Sequence, residues 1–110
     1  MEVKVSQVME IAVFQVSGEI NISTSGDLKK YFEKNASKKV VVDLEKVTYI
    51  DSSGLATLVE MLKKTRSQSG ALGLSGMSEK VKSLFEITKL DKLFSILPTR
   101  EEAISKIRVC

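Results

Sequence analysis

The chain of 110 residues has no histidine, no tryptophan, one cysteine and one proline. The missing histidine removes Ser-His-Asp triads, imidazole bases and His-containing zinc sites together. The lone cysteine, Cys110, has no partner for an intrachain disulfide or a metal site, which fits a reducing compartment. Neither GxxxxGK followed by Ser or Thr nor GxGxxG occurs among the six glycines, so both common phosphate-binding loops are absent. Aromatic residues are 5% of the chain and none is interleaved with basic ones. The net charge is only +3, and the lysines are scattered in pairs such as Lys29-Lys30, Lys38-Lys39 and Lys63-Lys64. These read as a solvated surface, so direct nucleic-acid binding is not expected. No apolar run approaches the about 20 residues of a membrane span. Met1-Glu2-Val3-Lys4 lacks the charged-then-apolar pattern of a secretory signal. The expectation is one soluble, cytoplasmic domain over residues 1–110, with no membrane partner, metal or cofactor.

What is present is enough apolar material, 43%, to build a core. Val3 to Val8 alternates apolar and polar residues, and Ile11 to Val16 is more apolar. Joined through Met9-Glu10, the two segments predict an antiparallel hairpin, with Ser17-Gly18 as its end. Ser23 to Asn35 predicts a helix capped by Ser23 or Thr24, with Leu28, Tyr31 and Phe32 at helical spacing. Lys39 to Leu44 predicts a central strand, since an unbroken Val-Val-Val suits burial on both faces. Ser53 to about Gln68 predicts a second helix, with Leu55, Leu58, Val59 and Leu62 on one stripe and Gly70 as its stop. Ala71 to Leu74 is a short strand whose Gly73 either admits a close helix or weakens it. Ser78 caps a third helix with Val81, Leu84 and Phe85 inward. Phe94 to Leu97 is a last strand, ended by Pro98. Thr99-Arg100-Glu101-Glu102 matches a capping box for a final helix through about Lys106. The order β-β-α-β-α-β-α-β-α predicts a single α/β domain: a mostly parallel central sheet of about five strands, an N-terminal hairpin and about four helices.

The most informative segment is Ile50-Asp51-Ser52-Ser53-Gly54. A strand runs into a turn there and two adjacent hydroxyls fall where a helix begins. Asp51 or Ser52 can cap that helix, and a phosphate on serine would be tolerated at its positive end. Phosphorylation would add about −1.5 to −2 charges beside Asp51, changing binding rather than folding. The same residues also read as a plain helix cap. Thr57, Glu60 and Met61 fall off the apolar stripe and are expected to face solvent. Gly54 is expected to leave the first turn open to a visitor.

Val41-Val42-Asp43-Leu44 through Tyr49-Ile50-Asp51-Ser52-Ser53-Gly54-Leu55 resembles the signature of the anti-sigma factor antagonists, within the STAS domain family. Val16-Ser17-Gly18-Glu19-Ile20 resembles the family's segment after the second strand, and Val81 to Leu90 its third helix. The resemblance implies a STAS-like fold and a kinase substrate rather than an enzyme. Ser52 matches the serine phosphorylated by the cognate anti-sigma factor, a serine kinase. The unphosphorylated antagonist binds that kinase and frees the sigma factor; a phosphoserine phosphatase resets the switch. The chain departs from the family at Asn21, where an aspartate is frequent. The expected contact surface combines Asp51, Ser52, Ser53 and Gly54 with Thr57 and Met61, and with the neighbouring Glu19 to Ser23 loop, Glu19, Asn21 and Ser23 in particular. An alternative reading is a STAS interaction module of another signalling complex, working without phosphorylation.

Overall fold

The computed structural model describes residues 1–35 and 37–110. Two alternating segments form the N-terminal hairpin, β1 (Glu2–Val8) and β2 (Ile11–Ile20), paired antiparallel from Glu2↔Ser17 to Val8↔Ile11. Then come α1 (Ser25–Lys34), β3 (Lys39–Ile50), α2 (Ser52–Ser67), β4 (Ala71–Ser75), α3 (Glu79–Ile87), β5 (Ser95–Leu97) and α4 (Arg100–Arg108), with one 3₁₀ turn at Leu90–Lys92. The sheet has five strands in the order β1-β2-β3-β4-β5, and every pair after the first is parallel.

Strand parity divides the core in two. Ala12, Phe14 and Val16 of β2, with Val40, Val42 and Leu44 of β3, pack under α1, α2 and α3. Ile11, Val13 and Val41 point the other way, against Ala103 and Ile107 of α4. The valine run is thus buried on both faces, as a covered parallel strand requires. Gly73 has one function here: a Cβ at that position would lie 3.0 Å from Ile107 Cγ1, so its absence lets α4 sit close on β4. The ring of Phe32 meets Phe14 at 6.2 Å between centroids, and Phe85 meets Phe94 edge-on at 5.6 Å. These pairs fasten α1 to β2 and α3 to the segment entering β5.

The first half of β3 carries a charge in its core. Asp43 is 2% exposed. Its Oδ2 accepts from Arg100 Nε at 3.0 Å and Nη2 at 2.7 Å, while Oδ1 accepts from the Glu45 N–H at 3.1 Å. An enclosed carboxylate needs such partners. The pair ties the start of α4 to the middle of the sheet.

Several boundaries differ from the sequence expectations. Ser17-Gly18 does not end β2; it marks register shifts, with Gly18 at φ +91°, and the strand continues to Ile20. At both shifts the extra residue belongs to β3: Gln15 to Ser17 faces Asp43 to Lys46, and Gly18 to Glu19 faces Val47 to Tyr49. The central strand does not stop at Leu44: β3 runs to Ile50, buries Val47 and Ile50, and pairs Glu19↔Tyr49 and Ile20↔Ile50. Helix α1 starts at Ser25 rather than Ser23, because residues 21–24 form their own turn. Phe94 precedes β5 and is buried. Val59 and Leu84 are only partly buried. The predicted caps Ser78 and Thr99 accept from the N–H of Val81 and Glu102.

Candidate switch site and family

The site lies where β2 and β3 end together. Asp51 follows β3 in an extended conformation, and its N–H donates to Ile20 O at 3.1 Å, continuing the β2–β3 ladder by one step. Its carboxylate then makes a clasp. Oδ1 accepts from the Gly54 N–H at 3.0 Å and caps α2; Oδ2 accepts from the Ile22 N–H at 3.1 Å. One side chain thereby holds the first turn of α2 and the loop leaving β2. The choice of cap between Asp51 and Ser52 falls to Asp51.

Ser52 is the first residue of α2 and is exposed; Ser53 is partly exposed. First-turn N–H groups have no partner inside their helix. Asp51 takes that of Gly54, while those of Ser52 and Ser53 make no hydrogen bond among the described residues. A phosphoryl group on Ser52 would find free amide donors and a favourable helix dipole, with the Asp51 carboxylate opposing it.

The loop beside it is built by Asn21. Its Oδ1 accepts from the N–H of Ser23 at 2.9 Å and of Thr24 at 3.2 Å, and its own N–H donates to Thr24 Oγ1 at 2.9 Å. Thr24 Oγ1 in turn donates to Glu19 O at 2.8 Å. Asparagine therefore supplies the acceptor that an aspartate would, and its Nδ2 also donates to Glu19 Oε1 at 3.3 Å, which an aspartate could not do. The structure brings Glu19, Asn21 and Ser23 next to Asp51, Ser52 and Ser53.

Three expected contact residues are not on this surface. Met61 is 1% exposed and packed in the main core, and Thr57 is 9% exposed. Helix α2 packs on the sheet and on α1 at once, so its buried face is broader than the single stripe predicted and takes in Thr57, Met61 and Thr65. Of the three residues expected to face solvent, only Glu60 does, pairing with Lys29 at 3.3 Å. Gly54 is buried as well. A Cβ there would stand 2.5 Å from Ile20 O, so this glycine serves close packing of α2 on the end of β2 and does not open the turn to a visitor. Of two exposed apolar residues of the rim, Ile22 lies in the loop expected at the contact surface but was not singled out, and Tyr49 was missed. The available signal was an isoleucine set among the turn-forming residues 21–24.

This arrangement defines a class: a small α/β domain presenting a serine at a helix start beside a preformed loop. The STAS domain model matches residues 2–103. An anti-sigma-B factor antagonist of Listeria monocytogenes is 35% identical over 99 residues, covering 87% of this chain and 86% of its own. The crystal structure of an anti-sigma factor antagonist from Mycobacterium paratuberculosis superposes with a TM-score of 0.88 at 26% identity, covering 97% and 93% of the two chains. Bacillus SpoIIAA, solved unphosphorylated and phosphorylated, shares the fold at TM-scores of 0.73 and 0.75 and 18% identity; coverage is 99% and 96% of this chain and 100% and 99% of its own. The chain belongs to the STAS domain family, among its anti-sigma factor antagonists. Among the described residues no helix is long and apolar enough to cross a membrane.

Proposed function

We propose that this chain is a binding module switched by phosphorylation of Ser52. Unphosphorylated, it holds an anti-sigma factor that is itself a serine kinase, and so frees the sigma factor. The kinase transfers the γ-phosphoryl group of ATP to Ser52 Oγ. The new P–O bond replaces the bond to ADP, and the hydroxyl proton leaves to a base on the kinase. The phosphorylated chain departs. A phosphatase hydrolyses the ester to serine and inorganic phosphate, restoring the first state. In this cycle the chain is a substrate and a ligand, not a catalyst.

The observation that carries the reading is the exposure of Ser52 at the start of α2, behind a cap that leaves its hydroxyl uncommitted. The existence of SpoIIAA in two phosphorylation states supports it at the level of the shared fold. Release follows from charge: a phosphate of about −1.5 to −2 beside Asp51 and Glu19 makes this rim strongly anionic. The test is incubation with ATP and the anti-sigma kinase of the same organism, read by intact mass. A single phosphoryl addition, absent in Ser52→Ala, is expected, together with weaker kinase binding by Ser52→Asp. An unmodified wild-type chain, or a Ser52→Asp variant that binds as tightly as wild type, overturns the mechanism.

A further inference from the structure

Ile22 and Tyr49 are exposed apolar residues on the two segments that meet at Asp51, the residue before Ser52: the loop leaving β2 and the end of β3. Ile22 is 78% exposed, and the core clusters do not include it. Its main chain is nonetheless fixed: its N–H is held by Asp51 Oδ2, and the neighbouring N–H groups of Ser23 and Thr24 are held by Asn21 Oδ1. A branched aliphatic side chain is therefore kept in water at a set position, with no return inside the molecule. Tyr49 is 42% exposed on the last turn-ward stretch of β3, two residues before the clasp, and is paired in register with Glu19. Its ring carries the Lys80 ammonium at 6.0 Å. The other exposed large apolar side chains are Met1 before β1, Met9 in the hairpin turn, Tyr31 on α1, Ile87 at the end of α3, Leu93 after the 3₁₀ turn and Val109 after α4.

The geometry points to Ile22 and Tyr49 as the apolar anchors by which the anti-sigma kinase grips this chain beside Ser52. The inference rests on the reading of Ser52 given above. A kinase docking on this rim encloses exposed apolar area whose main chain is already ordered, and tyrosine is among the residue types enriched where a few contacts dominate binding.

The test separates gripping from chemistry. Ile22→Ser, Tyr49→Ser and the double variant are compared with wild type and with Val109→Ser, a control exposed at 77%. Two quantities are measured with the purified anti-sigma kinase of the same organism: the Kd of the unphosphorylated chain, and the rate of Ser52 phosphorylation in a single turnover at saturating kinase with ATP. Thermal melts confirm that each variant is folded. Each single rim variant is expected to raise Kd about tenfold or more, and the double variant further. The saturating rate and the control Kd should stay within about twofold of wild type. Rim variants with wild-type Kd, while Ser52 is still phosphorylated, overturn the anchors and leave the switch standing. A fall in saturating rate at unchanged Kd also overturns them, by making the two residues positioning groups. A wild-type chain that the kinase neither binds nor modifies defeats the switch itself.

Discussion

Asp43 and Asp51 come from one stretch of chain and meet opposite demands. Asp43 is enclosed and takes the Arg100 guanidinium on a single oxygen, with the Glu45 N–H on the other. Asp51 is half-buried and takes only backbone amides, one from each neighbouring element. The first acid fastens α4 across the back of the sheet. The second holds a loop and a helix start in register at the surface. An aspartate used as a tie is sealed and neutralised by a cation. An aspartate used to shape a working surface stays wet, with its charge available to act on whatever Ser52 acquires.

The sharpest way to break that contrast is at the enclosed pair. Asp43→Ala leaves a partly covered guanidinium and an unsatisfied amide, and should cost about 2–3 kcal/mol in urea unfolding, the exposed side of Arg100 keeping it below a fully buried pair. Asp43→Val combined with Arg100→Met should recover part of this, since an apolar pair replaces the desolvated ion pair while the Glu45 N–H and the Ser75 hydroxyl still lose their acceptor. A double variant no better than Asp43→Ala would mean that the carboxylate supports the fold through its amide contact. Next in size is Asp51→Ala, which removes the cap of α2 and should cost about 1 kcal/mol in the same assay. Its distinguishing mark is faster amide exchange at Ile22 and Gly54, with the β3 core unchanged; equal protection at both amides would show that the clasp is dispensable. Smallest is Ser52→Asp, a surface change at a favourable helix start, whose unfolding free energy should stay within about 0.5 kcal/mol of wild type while partner binding falls.

Local patterns carried the fold far. Alternation in Val3 to Val8, the Val40–Val42 run, and the caps Asp51, Ser78 and Thr99 are set by neighbours in sequence, and each is visible without coordinates. What escaped is non-local. Met61 reads as solvent-facing until α1 is placed beside α2, because periodicity detects one buried face and not two. Gly54 reads as an opening until the end of β2 is seen against it. Ser17-Gly18 has a terminator's composition but lies within a longer strand, opposite the stretch of β3 that carries the extra residues. The partner of Asp43 lies on another element near the far end of the chain, so the valine run told of burial while the buried Asp43–Arg100 pair was not read from it. At the candidate site, Ser52 and its cap were readable from local chemistry. Ile22 was not, since its exposure depends on a loop pinned from α2.

The two chain ends leave the domain at different poles. Met1 lies against Gly18, where a Cβ would come within 3.3 Å of Met1 Cα, on the same side as the switch. Helix α4 runs the other way and brings Arg108 Nη1 to 3.7 Å from Met9 Sδ at the hairpin tip. The exposed Cys110 beyond it is therefore a single thiol handle remote from Ser52. Tethering through that sulfur presents the rim to an incoming protein, whereas a tag appended before Met1 crowds it.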